Sequence, residues 1–145
     1  MTSSFATRRI RPDRLFCYGT LCDAAVMCRV CGILPDHEPA MLTGYIRSAL
    51  TGRAYPGLIR GRGQPVDGIL YAGLARRHWR RLDQYEGSEY RRIRVQVETA
   101  GRGRKLAWVY VLQPRQYRQR AQRNWSLARF RREQLHLYQA QLRHY

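Results

Sequence analysis

Ile93, Val95 and Val97 alternate with Arg94, Gln96 and Glu98. Strand side chains point to opposite faces in turn, so this segment reads as a half-buried strand. Ala100-Gly101-Arg102-Gly103 supplies a turn, and Leu106 to Leu112 reads as the returning strand of a hairpin. Upstream, Leu15-Phe16-Cys17-Tyr18 reads as a short buried strand stopped by Gly19. Met41 to Leu50 reads as a strand interrupted at Gly44, and Val66 to Tyr71 as a strand with Gly68 inside it. A glycine in that setting marks a bulge or a close approach by another backbone. Tyr55-Pro56-Gly57-Leu58 reads as a turn, and Gly61 to Pro65 as a loop. Short strands with glycine breaks curl readily. The expected fold is α+β: a mixed, partly closed β-barrel of about five to six strands, with flanking helices and a C-terminal helix.

Asp23 to Val30 is the first expected helix, capped by Asp23 or Thr20 and ended by Gly32 and Pro35. In Leu74 to Glu86, the residues Leu74, His78, Trp79, Leu82 and Tyr85 recur at spacings of three and four, with Gly87 as C-cap. Arg115 to Tyr145 has no glycine or proline and reads as a basic amphipathic helix, with Leu135, Tyr138, Leu142 and Tyr145 on one side. The expected organisation is a flexible lead over 1–14, a domain over 15–113, and a C-terminal helix over 114–145 packed on or extending from that domain.

A chain of 145 residues, 44% hydrophobic, suits one domain with one core. The most apolar stretch, Leu15 to Leu34, is interrupted by Asp23 and Arg29, so no membrane span is expected. Arg8-Arg9 is followed by neither an apolar segment nor a small-residue cleavage site, and the expected compartment is the cytoplasm. The net charge is +17, and Lys105 is the only lysine. Near-exclusive use of arginine is what a GC-rich genome produces, so compositional bias is favoured over a dedicated nucleic-acid site. Nucleic acid stays open as a partner but is not favoured; its support is the charge and the tail aromatics Tyr117, Trp125, Phe130, Tyr138 and Tyr145. Cys17, Cys22, Cys28 and Cys31 lie in one stretch and include a CxxC pair. Cys17 falls in an apolar strand and reads as core, so neither zinc nor a redox role is favoured.

Glu86 departs from this bland account. It lies seven residues after Trp79 and four after Leu82, on the apolar face of its helix. Desolvation there raises a carboxyl pKa, and the helix C-terminus opposes negative charge. Both effects move a glutamate toward the range of a general base near neutral pH. The alternative is a boundary glutamate paired with an arginine. Asp83 is expected to satisfy backbone or arginine partners, and Glu89 to be exposed. In the loop Tyr18-Gly19-Thr20-Leu21, a strand ending at a glycine leaves backbone N–H groups unpaired, which can hold a carboxylate or an oxyanion. The alternative there is an ordinary strand-end turn.

These segments together resemble a family. Leu15 to Leu21 is similar to its Tyr-Gly-Ser/Thr-Leu motif, Tyr55 to Leu58 to its Tyr-Pro loop, and Val66 to Tyr71 to its Val-x-Gly-x-Leu-Tyr strand. Leu82 to Gly87, followed by Tyr90 and Arg92, resembles its Leu-Asp-x-x-Glu-Gly and Tyr-x-Arg elements, and Ala107 to Tyr110 its last strand. The order matches the gamma-glutamylcyclotransferase-like superfamily, which includes gamma-glutamylamine cyclotransferases and plant avirulence-induced proteins. The resemblance covers roughly residues 15–112. It implies cyclisation of a gamma-glutamyl amine or peptide with release of 5-oxoproline, and it maps the catalytic glutamate onto Glu86. It implies substrate binding by Tyr18, Gly19, Thr20 and Leu21, with Tyr110 lining the pocket or orienting Glu86. No metal or cofactor is implied, and the expected assembly is a monomer or homodimer. Competing readings are a non-catalytic small-molecule binding module on the same pocket, and a basic nucleic-acid-associated protein. Selectivity is expected in the loops Leu34 to Pro39 and Gly61 to Pro65.

Overall fold

A computed structural model describes residues 13–101, 103–121 and 123–142. Apart from Asp13 and Arg14, the expected N-terminal lead lies outside them, as do Arg102 of the hairpin turn and Tyr145.

Alternation along the strands sorts their side chains into two cores. In β1 (Leu15–Cys17), Phe16 faces one core while Leu15 and Cys17 face the other. Ala40 and Leu42 of β2 (His37–Leu42) and Val66 and Leu70 of β5 (Val66–Tyr71) join Phe16. So do Val95 and Val97 of β6 (Tyr90–Thr99) and Ala107, Val109 and Val111 of β7 (Gly103–Leu112). Tyr71, Tyr90, Tyr110 and Leu112 face the second core, with the helices. This is period-two geometry in a curved sheet with two covered faces.

The five strands close into a barrel in the order β1-β5-β2-β6-β7. Closure runs through one parallel contact, Leu15 opposite Trp108; the other neighbours pair antiparallel. The sheet is therefore mixed, as expected, and closed rather than partly closed. Gly68 shows why a glycine stands inside β5. A Cβ there would lie 2.1 Å from the Cys17 carbonyl oxygen and 2.7 Å from the Phe16 ring. The expected close backbone approach is real, and any side chain would push β1 away from β5.

Two further strands lie outside the barrel. The expected Met41–Leu50 strand is two strands in different sheets, β2 and β3 (Tyr45–Ala49), separated at Gly44, whose φ of 84° suits a glycine. Tyr55-Pro56-Gly57-Leu58 is not a turn: from Pro56 it forms β4 (Pro56–Arg60), paired with β3 in register Ala49 opposite Pro56. Proline is tolerated as the first residue of a strand, where its missing N–H costs little.

The first helix, α1 (Ala24–Cys31), begins at Asp23, whose carboxylate accepts from the amides of Ala25 and Val26 at 3.1 and 3.2 Å. It ends at Gly32 in the left-handed region. The second, α2 (Arg76–Glu86), opens with the Ala75 amide donating to His78 Nδ1 at 2.9 Å. Burial, then Arg77 and Arg81, lower the His78 pKa, which suits a neutral acceptor ring. Gly87 ends α2, as the sequence predicts.

The continuous C-terminal helix is not formed. The tail is a 3-10 segment (Pro114–Gln119), α3 (Leu127–Glu133) and α4 (Leu135–Gln141), with Arg120, Ala121 and Arg123 outside any helix. The backbone of Gln119, Ala121 and Arg123 is used by the end of β3 and the residues after it. Ala121 N donates to Ala49 O at 2.8 Å, Ala49 N to Arg123 O at 3.1 Å, and Thr51 N to Gln119 O at 2.7 Å. Groups paired in this way cannot serve a helix, so tertiary pairing overrides helical propensity. Ser126 then caps α3 by accepting from the Arg129 amide. Trp125, Phe130, Tyr138 and Leu142 are buried in the second core. Among the described residues, no helix is long and apolar enough to cross a membrane.

Candidate active site

β1 ends at the second core, and its chain turns sharply. Gly19 leads into a 3-10 turn over Thr20–Cys22, where Cys22 N donates to Gly19 O at 2.9 Å. The amides of Thr20 and Leu21 precede that donor and have no acceptor within the turn. Gly19 is needed for space: a Cβ would lie 2.8 Å from Pro56 Cδ.

Dedicated hydrogen bonds hold the turn. Arg47 donates to Tyr18 O at 3.0 Å, and its guanidinium is fixed by Asp67 at 2.8 Å. Tyr71 donates to Leu21 O at 2.6 Å. The Tyr18 hydroxyl donates to Tyr110 O at 2.7 Å, and Thr20 Oγ1 bonds the Tyr85 hydroxyl at 2.7 Å. Each contact comes from a different part of the fold, so the turn's shape is set before any ligand arrives.

The turn walls a cavity of about 90 Å³ that also takes in Glu86, Tyr110 and six tyrosines in all. Glu86 and Tyr18-Gly19-Thr20-Leu21, two separate sequence signals, thus share one cavity. Leu82, one turn before Glu86, is fully buried, and Trp79 packs against the same core, as the helical spacing predicts. Among the described residues, no hydrogen bond or salt bridge reaches the Glu86 carboxylate. Burial first, then the negative charges of Asp83 and Glu89, push its pKa up to about 8. The arginine-paired alternative is absent among these residues.

The neighbouring acids behave otherwise. Asp83 pairs with Arg92 at 3.2 Å and accepts from the Tyr110 hydroxyl at 2.6 Å. Tyr110 therefore lines the cavity, but its hydroxyl orients Asp83 and not Glu86. Glu89 is not exposed as expected: it lines the cavity, with Tyr55 donating to one oxygen at 2.8 Å and Arg53 to the other at 2.7 Å. Burial raises the pKa of Tyr18, Tyr85, Tyr90 and Tyr110, so these hydroxyls are neutral donors. Cys17 also lines the cavity, and burial raises its thiol well above the usual range. Cys22, donating to Cys17 O at 3.1 Å, is pushed up to about 12 by burial. Protonated thiols are poor nucleophiles and poor metal ligands. Among the described residues, no group of three His, Cys, Asp or Glu is arranged to hold a metal.

Residues 15–127 match the family described as gamma-glutamyl cyclotransferase, AIG2-like. The chain belongs to that family. It is similar to AIG2-like protein C of Arabidopsis thaliana, with 34% identity over 92 residues, covering 63% of this chain and 54% of that one. This family member thus spans about half the length of that curated relative. A solution structure of an Arabidopsis thaliana protein shares its fold at a TM-score of 0.65 and 24% identity, covering 88% of this chain and 84% of that one. A structure named gamma-glutamyl cyclotransferase does so at 0.64 and 14%, covering 91% and 86%.

Within this family member, the cavity is also walled by residues that the sequence does not mark as site residues, among them Tyr55, Tyr85, Glu89, Tyr90 and Tyr138. Tyr85 and Glu89 flank Glu86 closely enough for that proximity to have served as a signal. The sequence marks Tyr138 only as a tail aromatic on an apolar helix face, because its place on the cavity depends on how the tail folds back. The loops expected to hold selectivity, Leu34 to Pro39 and Gly61 to Pro65, do not line this cavity. Asp36, His37 and Glu38 instead edge a separate open groove with Arg14 and Lys105. Of the tail aromatics, Trp125, Phe130 and Tyr138 are buried and unavailable for stacking on bases, and Tyr117 packs against the core.

Proposed function

We propose that this chain cyclises a gamma-glutamyl amine or peptide, releasing 5-oxoproline and the free amine, with Glu86 as the proton shuttle. The observation that carries the reading is a carboxylate of raised pKa, without a partner among the described residues, sharing a cavity with the Thr20 turn, whose first two amides have no acceptor within that turn. The described lining contains two carboxylates and no lysine, arginine or histidine. The substrate's ammonium group suits Glu86, and its carboxylate, or the developing oxyanion, suits the amides of Thr20 and Leu21.

Glu86 takes a proton from the α-ammonium group. The freed nitrogen attacks the side-chain amide carbon, and a five-membered ring closes. The tetrahedral intermediate collapses with cleavage of the bond to the leaving nitrogen. Glu86 returns that proton to the leaving nitrogen, then takes the second ammonium proton from the ring nitrogen and passes it on, so the amine leaves as an ammonium ion and the ring keeps one N–H. Protons balance within the substrate and one carboxyl group. Because the attack is intramolecular, the protein's work is to fold the substrate and move protons.

The test is a panel of gamma-glutamyl amines and peptides incubated with the protein, with 5-oxoproline measured. Product from at least one compound, lost in Glu86→Gln, is the expected result. No product from any compound, or undiminished release by the variant, overturns the reading.

A further inference from the structure

Tyr138 lies on α4, beyond residue 127, where the family match ends. It is nevertheless a wall of the cavity that holds Glu86. Its hydroxyl bonds the Tyr85 hydroxyl, and Tyr85 in turn bonds Thr20 Oγ1 at 2.7 Å. A chain of three hydroxyls therefore runs from the C-terminal tail to the turn that carries the open amides.

The tail is anchored on both sides of Tyr138. Arg131 of α3 pairs with Asp23, the α1 cap, at 2.8 Å. Arg29 of α1 donates to Leu142 O at 3.0 Å. Phe130, fully buried, meets the Tyr138 ring edge-on at a centroid distance of 5.3 Å. These contacts fix the ring position, so the wall it forms is rigid rather than a loose flap.

We infer that Tyr138 is both a positioning residue and a specificity-determining residue of this cavity. Its hydroxyl, through Tyr85, holds the Thr20 turn in register, and its ring limits the size of substrate that enters. The inference rests on the gamma-glutamyl reading for what enters, and on geometry alone for the hold on the turn. The consequence is that selectivity is set partly outside the segment that identifies the family.

Two variants and a control separate these roles. Tyr138→Phe keeps the ring and removes the hydroxyl. Tyr138→Leu shortens the wall but keeps it apolar. Leu137→Ala changes an exposed neighbour on the same helix. Hydrogen exchange at the Cys22 and Asp23 amides, which bond Gly19 O and Thr20 O, needs no substrate. It is expected to quicken about fivefold in Tyr138→Phe, the size of one lost net hydrogen bond, and to stay unchanged in Leu137→Ala. Unchanged exchange in folded Tyr138→Phe overturns the positioning role.

With gamma-glutamyl amines of graded size, Tyr138→Phe is expected to raise KM about fivefold with little change in kcat. Tyr138→Leu is expected to shift preference toward bulkier amines. A folded Tyr138→Leu that ranks the amines as the parent does overturns the specificity role. A parent protein that releases no 5-oxoproline overturns the cyclotransferase reading and with it the specificity role, while the exchange result still decides the positioning role.

Discussion

The last turn of α2 and the short 3-10 turn after it each put a glutamate on the same cavity, three residues apart, in opposite circumstances. Glu89 has both oxygens engaged, by Tyr55 and Arg53. Glu86 has neither engaged among the described residues, and its pKa rises to about 8. A partnered carboxylate is a fixed charge. An unpartnered one in a desolvated cavity wall takes and gives a proton near neutral pH. The fixed charge of Glu89 also contributes to the rise at Glu86, so the two turns differ in role and are coupled in effect.

The sharpest way to break this contrast is to neutralise each glutamate in turn. Glu86→Gln is expected to lower 5-oxoproline release by about 10²–10⁴-fold, the usual worth of a general acid–base group. Glu89→Gln is expected to lower kcat/KM only about tenfold, through a loosened Tyr55 and an unpaired Arg53. A pH profile adds the coupling: with the Glu89 charge gone, the midpoint assigned to Glu86 moves down. A midpoint that stays put or rises in Glu89→Gln would mean that the two acids do not communicate.

Stability carries the same contrast with a defined sign. The folded pKa of Glu86, about 8, exceeds the ordinary 4.5, so between those values the folded state binds more protons than the unfolded state. Stability is therefore lost as pH rises through that window. Glu86→Gln removes the loss. Denaturant unfolding is expected to show parity near pH 4 and a variant more stable at pH 9 by on the order of 2 kcal/mol, discounted because the cavity admits water. The smallest effect is expected from Arg53→Ala. Its pair with Glu89 is partly solvent-exposed, and the variant is expected to lose only about 0.5–1 kcal/mol in the same measurement.

The legible parts of this molecule are those with local causes. Leu82 and Glu86 share a helix face by spacing alone, and Gly68 announces a close backbone approach because no other residue tolerates one there. Gly19 ends a strand, and the amides it leaves open are a local consequence. The same local logic gave the α1 cap at Asp23 and the break at Gly87.

What escaped depends on partners far away in sequence. Nothing near Tyr138 says that its hydroxyl meets Tyr85 on α2, and nothing near Arg120 says that its backbone bridges to Leu50. The same reason explains the tail, whose unbroken helical composition yields to backbone pairing with the end of β3. Pro56 misled because proline reads as a turn signal, while at the first position of β4 it is compatible with a strand. Glu89 was expected at the surface because a glycine and a serine precede it. The half-burial of Glu89 follows from Tyr55 and Arg53, which arrive from the β3–β4 connection.

The contrast between the two glutamates is tested most directly by carbon-13 NMR titration of protein labelled at the glutamate side-chain carboxyl. One resonance, absent from Glu86→Gln, is predicted to titrate with a midpoint near 8. If every glutamate carboxyl titrates near the ordinary value of 4.5, Glu86 holds no proton at neutral pH and its role as shuttle is contradicted.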